Sequence, residues 1–350
     1  MSTCTFQDGT VVSDYGRPYI VAEVNSSHNG NMETARKMID AAVDIGCDCV
    51  KFQSWSADSL YSKSYYKENP IARRIVEKVS VTSEDMCELA RYCKSKGIAF
   101  ASTPYSPDEV DFLVEECKVP YIKIASMELD HLDFLRYIGN KKVPVVLSTG
   151  MGEMDEISLA ISALEKAGVE EMVLLHCVSI YPAKLESMNL RNILGLRAHF
   201  SKYPIGFSDH TEGSTAAIAA VALGAGFLEK HLTLDRSKIG MDNGMAMEPE
   251  AFRDMAKQCR ATHIGMGSEQ RVVSPEEYEQ RKKMRRSIVA AVDLHAGDVL
   301  ERTCLSAKRP GTGISLGCME DIIGKRLRND VEADCLILPE DIQKDGGKRV

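Results

Sequence analysis

Two histidines, His210 in SDHT and His231 in EKH, each close a short apolar run. If those runs are neighbouring strands, the two imidazoles meet and can share one divalent cation, with water and substrate oxygens filling its other positions. Mn²⁺ suits so open a ligand set, with Mg²⁺ or Co²⁺ as further choices. The plainer alternative, a strand-end histidine that satisfies a local hydrogen bond, is weakened because there are two of them. Lys51 in VKFQ and Lys123 in YIKIAS end two further runs. A cationic side chain cannot stay unpaired in a strand wall, so each needs an anion: one phosphate held by both, or separate ion pairs to Glu23 or Glu128. Ser126, Ser148, Thr149, Ser179 and Ser208 bring hydroxyls to similar places, where any single one serves equally well as a cap. Glu23, Glu128 and Asp242 offer carboxylates for proton transfer or for gripping sugar hydroxyls. His28 and Asn29 in SSHNG read as turn and cap residues, and His176 stands evenly between structure and substrate. The glycines of STGMG are too few to specify a nucleotide site.

These residues need a scaffold that brings strand ends together. Short β-branched runs alternate with longer amphipathic stretches, the pattern of repeated βα units. Eight runs are discernible: Tyr19–Val24, Cys49–Gln53, Ala99–Thr103, Tyr121–Ser126, Val145–Thr149, Met172–Cys177, Ile205–His210 and Phe227–His231. Eight units predict a closed (β/α)₈ TIM barrel, an α/β fold in which polar strand ends converge at the C-terminal mouth. Between the runs, residues 31–45 place Ala35, Met38, Ile39 and Ala42 on one helical face, and residues 83–96 open with Ser83 as the expected cap.

The barrel is assigned to residues 1–270. The charged string SPEEYEQRKKMRRSI suits a solvated helix or linker, at 271–287, and residues 288–350 read as a small β-rich domain with a frayed end, DIQKDGGKRV. A formal charge of −8 with no clustered basic face argues against a nucleic-acid partner. The eleven cysteines are scattered and include no CxxC pair, which fits reduced thiols in a cytoplasm. The longest apolar stretch, residues 215–228, is too short to span a bilayer, so no membrane partner is expected.

The strings AEV…HNG, VKFQ, STPYS, YIKIAS, STGM, HCVSIYP, FSDHT and EKHLTLD stand in the order found in the sialic acid (nonulosonic acid) synthase family. RRSIVAAVDLHAGDVL and KRPGTGI resemble the antifreeze-like (SAF) domain fused to those barrels. The resemblance implies condensation of phosphoenolpyruvate with an N-acetylated amino sugar and water, releasing phosphate. It implies Lys51, Lys123, Ser126, Ser148, Ser179 and Ser208 as the phosphoenolpyruvate cradle and His210 and His231 as metal ligands. Gln53, Glu128, Tyr181 and Asp242 are implied as sugar contacts, and Glu23 as the group that positions or deprotonates water. It further implies a homodimer with exchanged C-terminal domains, in which Arg309 completes the sugar site of the other subunit.

Some strings depart from the family pattern. AEVNSSHNG replaces AEIGxNHNG, SMEL replaces SGE, and GMDNGMAMEP replaces GPDHxxSLEP; Ser179 stands where many relatives have Asn, and Asn69 is a doubtful counterpart of the usual sugar-amide Asn. These changes spare the phosphate and metal groups and fall on the sugar side. N-acetylmannosamine and a 2,4-diacetamido-hexose, the latter giving legionaminic- or pseudaminic-type acids, are therefore both candidate acceptors. A synthase of shorter sugar acids with a phosphorylated acceptor, and a carbohydrate-binding module without activity, are the rival readings.

Overall fold

The computed structural model of the chain describes residues 1–238 and 240–343, so that most of the segment expected to fray, residues 344–350, lies outside the described residues. Two compact units divide at Met1–Gly267 and Ser268–Val350.

The first unit opens with an antiparallel hairpin, β1 (Thr3–Thr5) and β2 (Val11–Ser13). Eight parallel strands follow: β3 (Tyr19–Glu23), β4 (Cys49–Ser54), β5 (Ala99–Pro104), β6 (Ile122–Ile124), β7 (Val145–Ser148), β8 (Met172–Cys177), β9 (Ile205–Asp209) and β10 (Phe227–His231). They pair in the order β5-β4-β3-β10-β9-β8-β7-β6. β5 and β6 pack side by side at the remaining seam. This is the (β/α)₈ barrel that the eight apolar runs predict.

Helices α1 (Met32–Ile45), α2 (Ala57–Leu60), α3 (Lys63–Glu68), α4 (Pro70–Val79), α5 (Ser83–Lys96), α6 (Pro107–Glu115), α7 (Leu132–Asn140), α8 (Met154–Ala167), α9 (Asn192–His199), α10 (Thr215–Ala222) and α11 (Pro249–Met266) fill the connections. α1 buries the face its periodicity selects, Ala35, Met38, Ile39 and Ala42, and is capped by the Asn31 side chain. The cap of α5 is Thr82 rather than Ser83: Thr82 has extended backbone, and its hydroxyl accepts the Asp85 N–H at 3.1 Å, while Ser83 is already helical.

Alternate strand residues face opposite ways, which sorts the core into two parts. Ile20, Ala22, Val50, Phe52 and Ile122 pack outward against the helices. Tyr19, Val21, Cys49, Ala101, Tyr121, Val146, Val173, Leu175 and Phe227 face inward and join Cys4, Phe6 and Val12 of the hairpin in a separate buried cluster. The Phe6 ring lies 4.5 Å from that of Tyr121 and 5.5 Å from that of Tyr19, so the hairpin plugs the barrel floor. Gly206 is needed on β9, because a Cβ there would stand 2.6 Å from Leu175 and 2.7 Å from the Phe227 carbonyl oxygen.

In the second unit the charged string forms a solvated helix, α12 (Pro275–Met284), with no buried residue. Beyond it β11 (Ser287–Ala290) and β12 (Leu305–Lys308) pair antiparallel, and a short helix, α13 (Met319–Ile322), contributes Ile322 to the core. That small core consists of Ile288, Ala290, Leu294, Leu300, Ile322, Leu327, Val331 and Ile337. Among the described residues no helix is long and apolar enough to cross a membrane.

Candidate active site

Followed upward from the floor, the inward face of nearly every strand changes from apolar to polar within two residues. Val21 gives way to Glu23, Cys49 to Lys51 and Gln53, Ala101 to Thr103, Tyr121 to Lys123, Val146 to Ser148, and Phe227 to Glu229 and His231. The polar positions line a cavity of about 370 Å³ at the C-terminal mouth, together with Ser126, Ser179, Tyr181, Ser208, His210 and Asp242.

At its base Lys51 forms an ion pair with Glu23, lies 3.7 Å from Glu229 and donates to the Thr103 hydroxyl at 3.0 Å. Lys123 donates to the Ser148 hydroxyl at 2.8 Å and lies 3.8 Å from Glu229. Ser208 donates to Glu229 at 3.1 Å. All four charged side chains are buried. Burial, reinforced by the Glu229 charge and opposed by Lys51, lifts the Glu23 carboxyl to about 7. Burial also acts on Glu229, but Lys123 and Lys51 outweigh it and hold that carboxyl below its usual value. Burial pushes Lys123 down, whereas Lys51, equally buried, is held up by Glu229 and Glu23. The two lysines are thus matched by two carboxylates, one of which can be protonated near neutrality.

Above them the rings of His210 and His231 lie 5.5 Å apart at 66°. His210 Nδ1–H donates to the Val178 carbonyl at 2.8 Å, which leaves Nε2 with its lone pair free for a ligand. His231 Nδ1 is 3.8 Å from an Asp242 oxygen, and burial holds its ring well below the usual imidazole value, in the neutral form a metal requires. Among the described residues no group of three or more His, Cys, Asp or Glu is placed to chelate an ion. Two adjacent imidazoles fit a cation that keeps open positions, not a closed structural site; at His210 burial is outweighed by Cys177 and the Val178 carbonyl, which hold its pKa up. The Tyr181 ring lies 4.2 Å from that of His210, tilted by 37°.

Gln53 donates to Glu23 at 3.3 Å and accepts from Tyr105 at 2.9 Å. Ser126 accepts the Gly150 N–H at 2.9 Å; a Cβ on Gly150 would stand 2.4 Å from the Ser179 hydroxyl and 2.9 Å from that of Ser126, so any larger residue would displace these two hydroxyls. Asp242 accepts from the Asn25 amide.

Other candidates are not brought into the cavity. Glu128 is taken by His131 at 2.9 Å, so the carboxylates beside the buried lysines are Glu23, at Lys51 as expected, and Glu229, not Glu128. Of the polar residues that end the eight runs, Lys230 and Asp209 point outward and pair at 2.8 Å, and Ser102 is bound to the Ser54 hydroxyl at 2.6 Å. His176 is bound to the Met188 carbonyl at 2.7 Å, a structural role. Asn69 is exposed at the junction of α3 and α4, with its amide on the Tyr65 carbonyl. Arg309 is exposed in the second unit, directly after β12. Sequence reasoning missed Glu229, although counting by twos back from His231 reaches it. It also missed Trp55, and it quoted Asn25, Tyr105, Met127, Met151 and Met241 only within longer strings, without singling them out as rim residues.

A TIM barrel with buried lysines, carboxylates and a histidine pair at its mouth, followed by a small β-rich domain, defines the class. The chain belongs to the NeuB family: the family model matches residues 38–271, and the SAF domain model matches residues 285–343. It is 35% identical to the N,N'-diacetyllegionaminic acid synthase of Campylobacter jejuni, over 91% of this chain and 98% of that protein. The Legionella pneumophila protein of the same name is 33% identical over 93% and 94%. A crystal structure of the N-acetylneuraminic acid synthetase of Leptospira borgpetersenii, in complex with citrate, superposes with a TM-score of 0.73 at 28% identity, covering 80% of this chain and 96% of that one.

Proposed function

We propose that the chain is a nonulosonic acid synthase, which joins phosphoenolpyruvate to an N-acetylated amino sugar and water to give a nine-carbon 2-keto-3-deoxy acid and phosphate. The observation that carries the reading is the pair of buried lysines beneath a histidine pair at the mouth of a NeuB-family barrel. In this reading Lys51 and Lys123, with Ser126, Ser148, Ser179 and Ser208, hold phosphoenolpyruvate. Gln53, Tyr181 and Asp242 contact the sugar, joined by Arg309 from the exchanged domain of a homodimer. In this reading the enzyme works in the cytoplasm, which suits its free cysteines.

Charge balance supports a cation. Glu23 and Glu229 already offset the lysines, so a multiply charged anion needs further positive charge, from a proton on Glu23 or an ion on the histidines. His210 and His231 would hold that ion, Mn²⁺ by preference, which when bound polarises an aldehyde oxygen. Glu23, titrating near 7, is suited to take a proton from water. Of the two acceptors, the names of the Campylobacter and Legionella relatives favour a 2,4-diacetamido-hexose over N-acetylmannosamine.

The test is phosphate release from phosphoenolpyruvate with Mn²⁺, with and without a chelator, offering each amino sugar and arabinose 5-phosphate. Chelator-sensitive release with an unphosphorylated amino sugar is expected. Release with the phosphorylated pentose alone would move the chain to the rival synthase class.

A further inference from the structure

Three positions at which the chain departs from its family pattern, Asn25, Met127 and Met241, come together at one cavity. Met127 follows β6, Met151 follows β7 and Met241 follows β10. Their exposures are 54%, 68% and 46%. Scattered exposed methionines need no explanation, but three from separate loops around one opening make an apolar rim, which Trp55 and Tyr61 extend. Asn25 holds the rim in place: its N–H donates to Glu23 at 2.8 Å, and its side-chain amide donates to Asp242, beside Met241. The cations lie below, for among the described residues of the first unit only Lys51 and Lys123 bring a Lys or Arg to the lining, and both are buried.

We infer that this rim determines acceptor specificity, its thioethers and rings covering the apolar substituents of the sugar, such as an acylamino methyl or a deoxygenated carbon. Methionine suits the task because its flexible, polarisable side chain moulds to small methyl groups. A phosphate at that end of the acceptor would meet sulfur and ring carbon with no cation of the rim to pair with. The acceptor class that fits is an aldose that turns apolar, uncharged substituents to this rim, as the second acylamino group of a 2,4-diacetamido-hexose would be. The inference rests on the synthase reading and adds to it the residues that choose the sugar.

Phosphate release at saturating phosphoenolpyruvate tests it, with N-acetylmannosamine, its 6-phosphate and a 2,4-diacetamido-hexose as acceptors. The proteins are the unsubstituted enzyme, Met127→Gln, Met151→Gln, Met241→Gln and, as a distant exposed control, Leu159→Gln. Expected is a preference for the diacetamido sugar, whose kcat/KM falls about tenfold in the rim variants through KM. The KM for phosphoenolpyruvate and the use of N-acetylmannosamine stay unchanged, as does everything in Leu159→Gln. A preference for the singly acylated or phosphorylated sugar overturns the inference, and so does a parallel loss on all acceptors or no loss at all. Silence of the unsubstituted enzyme with every acceptor would instead sink the synthase reading, and the rim with it.

Discussion

Glu229 occupies the middle of the buried charge cluster, within 3.8 Å of both lysines and hydrogen-bonded to Ser208. Removing its charge leaves Lys51 with Glu23 alone and the desolvated Lys123 with no carboxylate, and breaking a buried pair in this way costs about 3 kcal/mol. Glu229→Gln should lower the unfolding free energy by roughly that amount, and inorganic phosphate should restore part of it by supplying the missing anion. Denaturant titration with and without phosphate is the check; no recovery would mean that the lysines do not make an anion site. His28 gives a pH dependence of separate origin. It is buried and accepts the Gly30 N–H at Nδ1 at 3.1 Å, and burial lowers its pKa to about 4. As pH falls below the ordinary imidazole value near ~6.5, the unfolded chain takes a proton that the folded chain refuses, so stability falls with pH down to about 4. Between about pH 7.5 and about pH 4.5 this residue should account for a loss of about 2 to 3 kcal/mol, which His28→Asn abolishes. Equal slopes in the two proteins would refute it.

Elements differ in how far the sequence discloses them. The eight barrel runs were legible because a strand buried on both faces is a nearly unbroken apolar string. Their ends were less so, since a polar residue at a strand end can point either way. Lys230 and Asp209 look as though they belong to the mouth yet face the helices, while Glu229, one residue away, faces in. The phase of the two-residue alternation decides this, and it is fixed by neighbouring register, such as Glu229 opposite Val21 and Ser208, which a single sequence does not display. The floor hairpin was not legible at all. Its strands have three residues each and alternate exposed with buried, so only Cys4, Phe6 and Val12 carry its apolar signal. It is nonetheless structural: Phe6→Ala should cost about 3 kcal/mol by opening a cavity among Tyr19, Tyr121 and Phe227. The loss should appear in the unfolding midpoint, with phosphate release below the transition unchanged. A fall in release without a change in midpoint would assign the hairpin some other part.

At the scale of the whole molecule, the synthase reading asks a chain of net charge −8 to take an anionic substrate, for which it must concentrate positive charge locally. The barrel mouth does so with two lysines whose charge is already matched, and among the described residues its rim adds no further Lys or Arg. A further cation from outside the barrel, the role proposed for Arg309 across a dimer, would answer that shortage, and subunit mixing can show where it acts. Arg309→Ala leaves a barrel with its histidines intact, and His231→Ala leaves a small domain with its arginine intact. If the domains are exchanged, a dimer of one subunit of each kind has one complete site of two. Random pairing of equal amounts makes such hybrids half of the population, so the mixture should regain about a quarter of the unsubstituted activity after co-refolding. If Arg309 instead serves the barrel of its own chain, no hybrid contains a complete site, and the mixture should be no more active than the two variants measured apart.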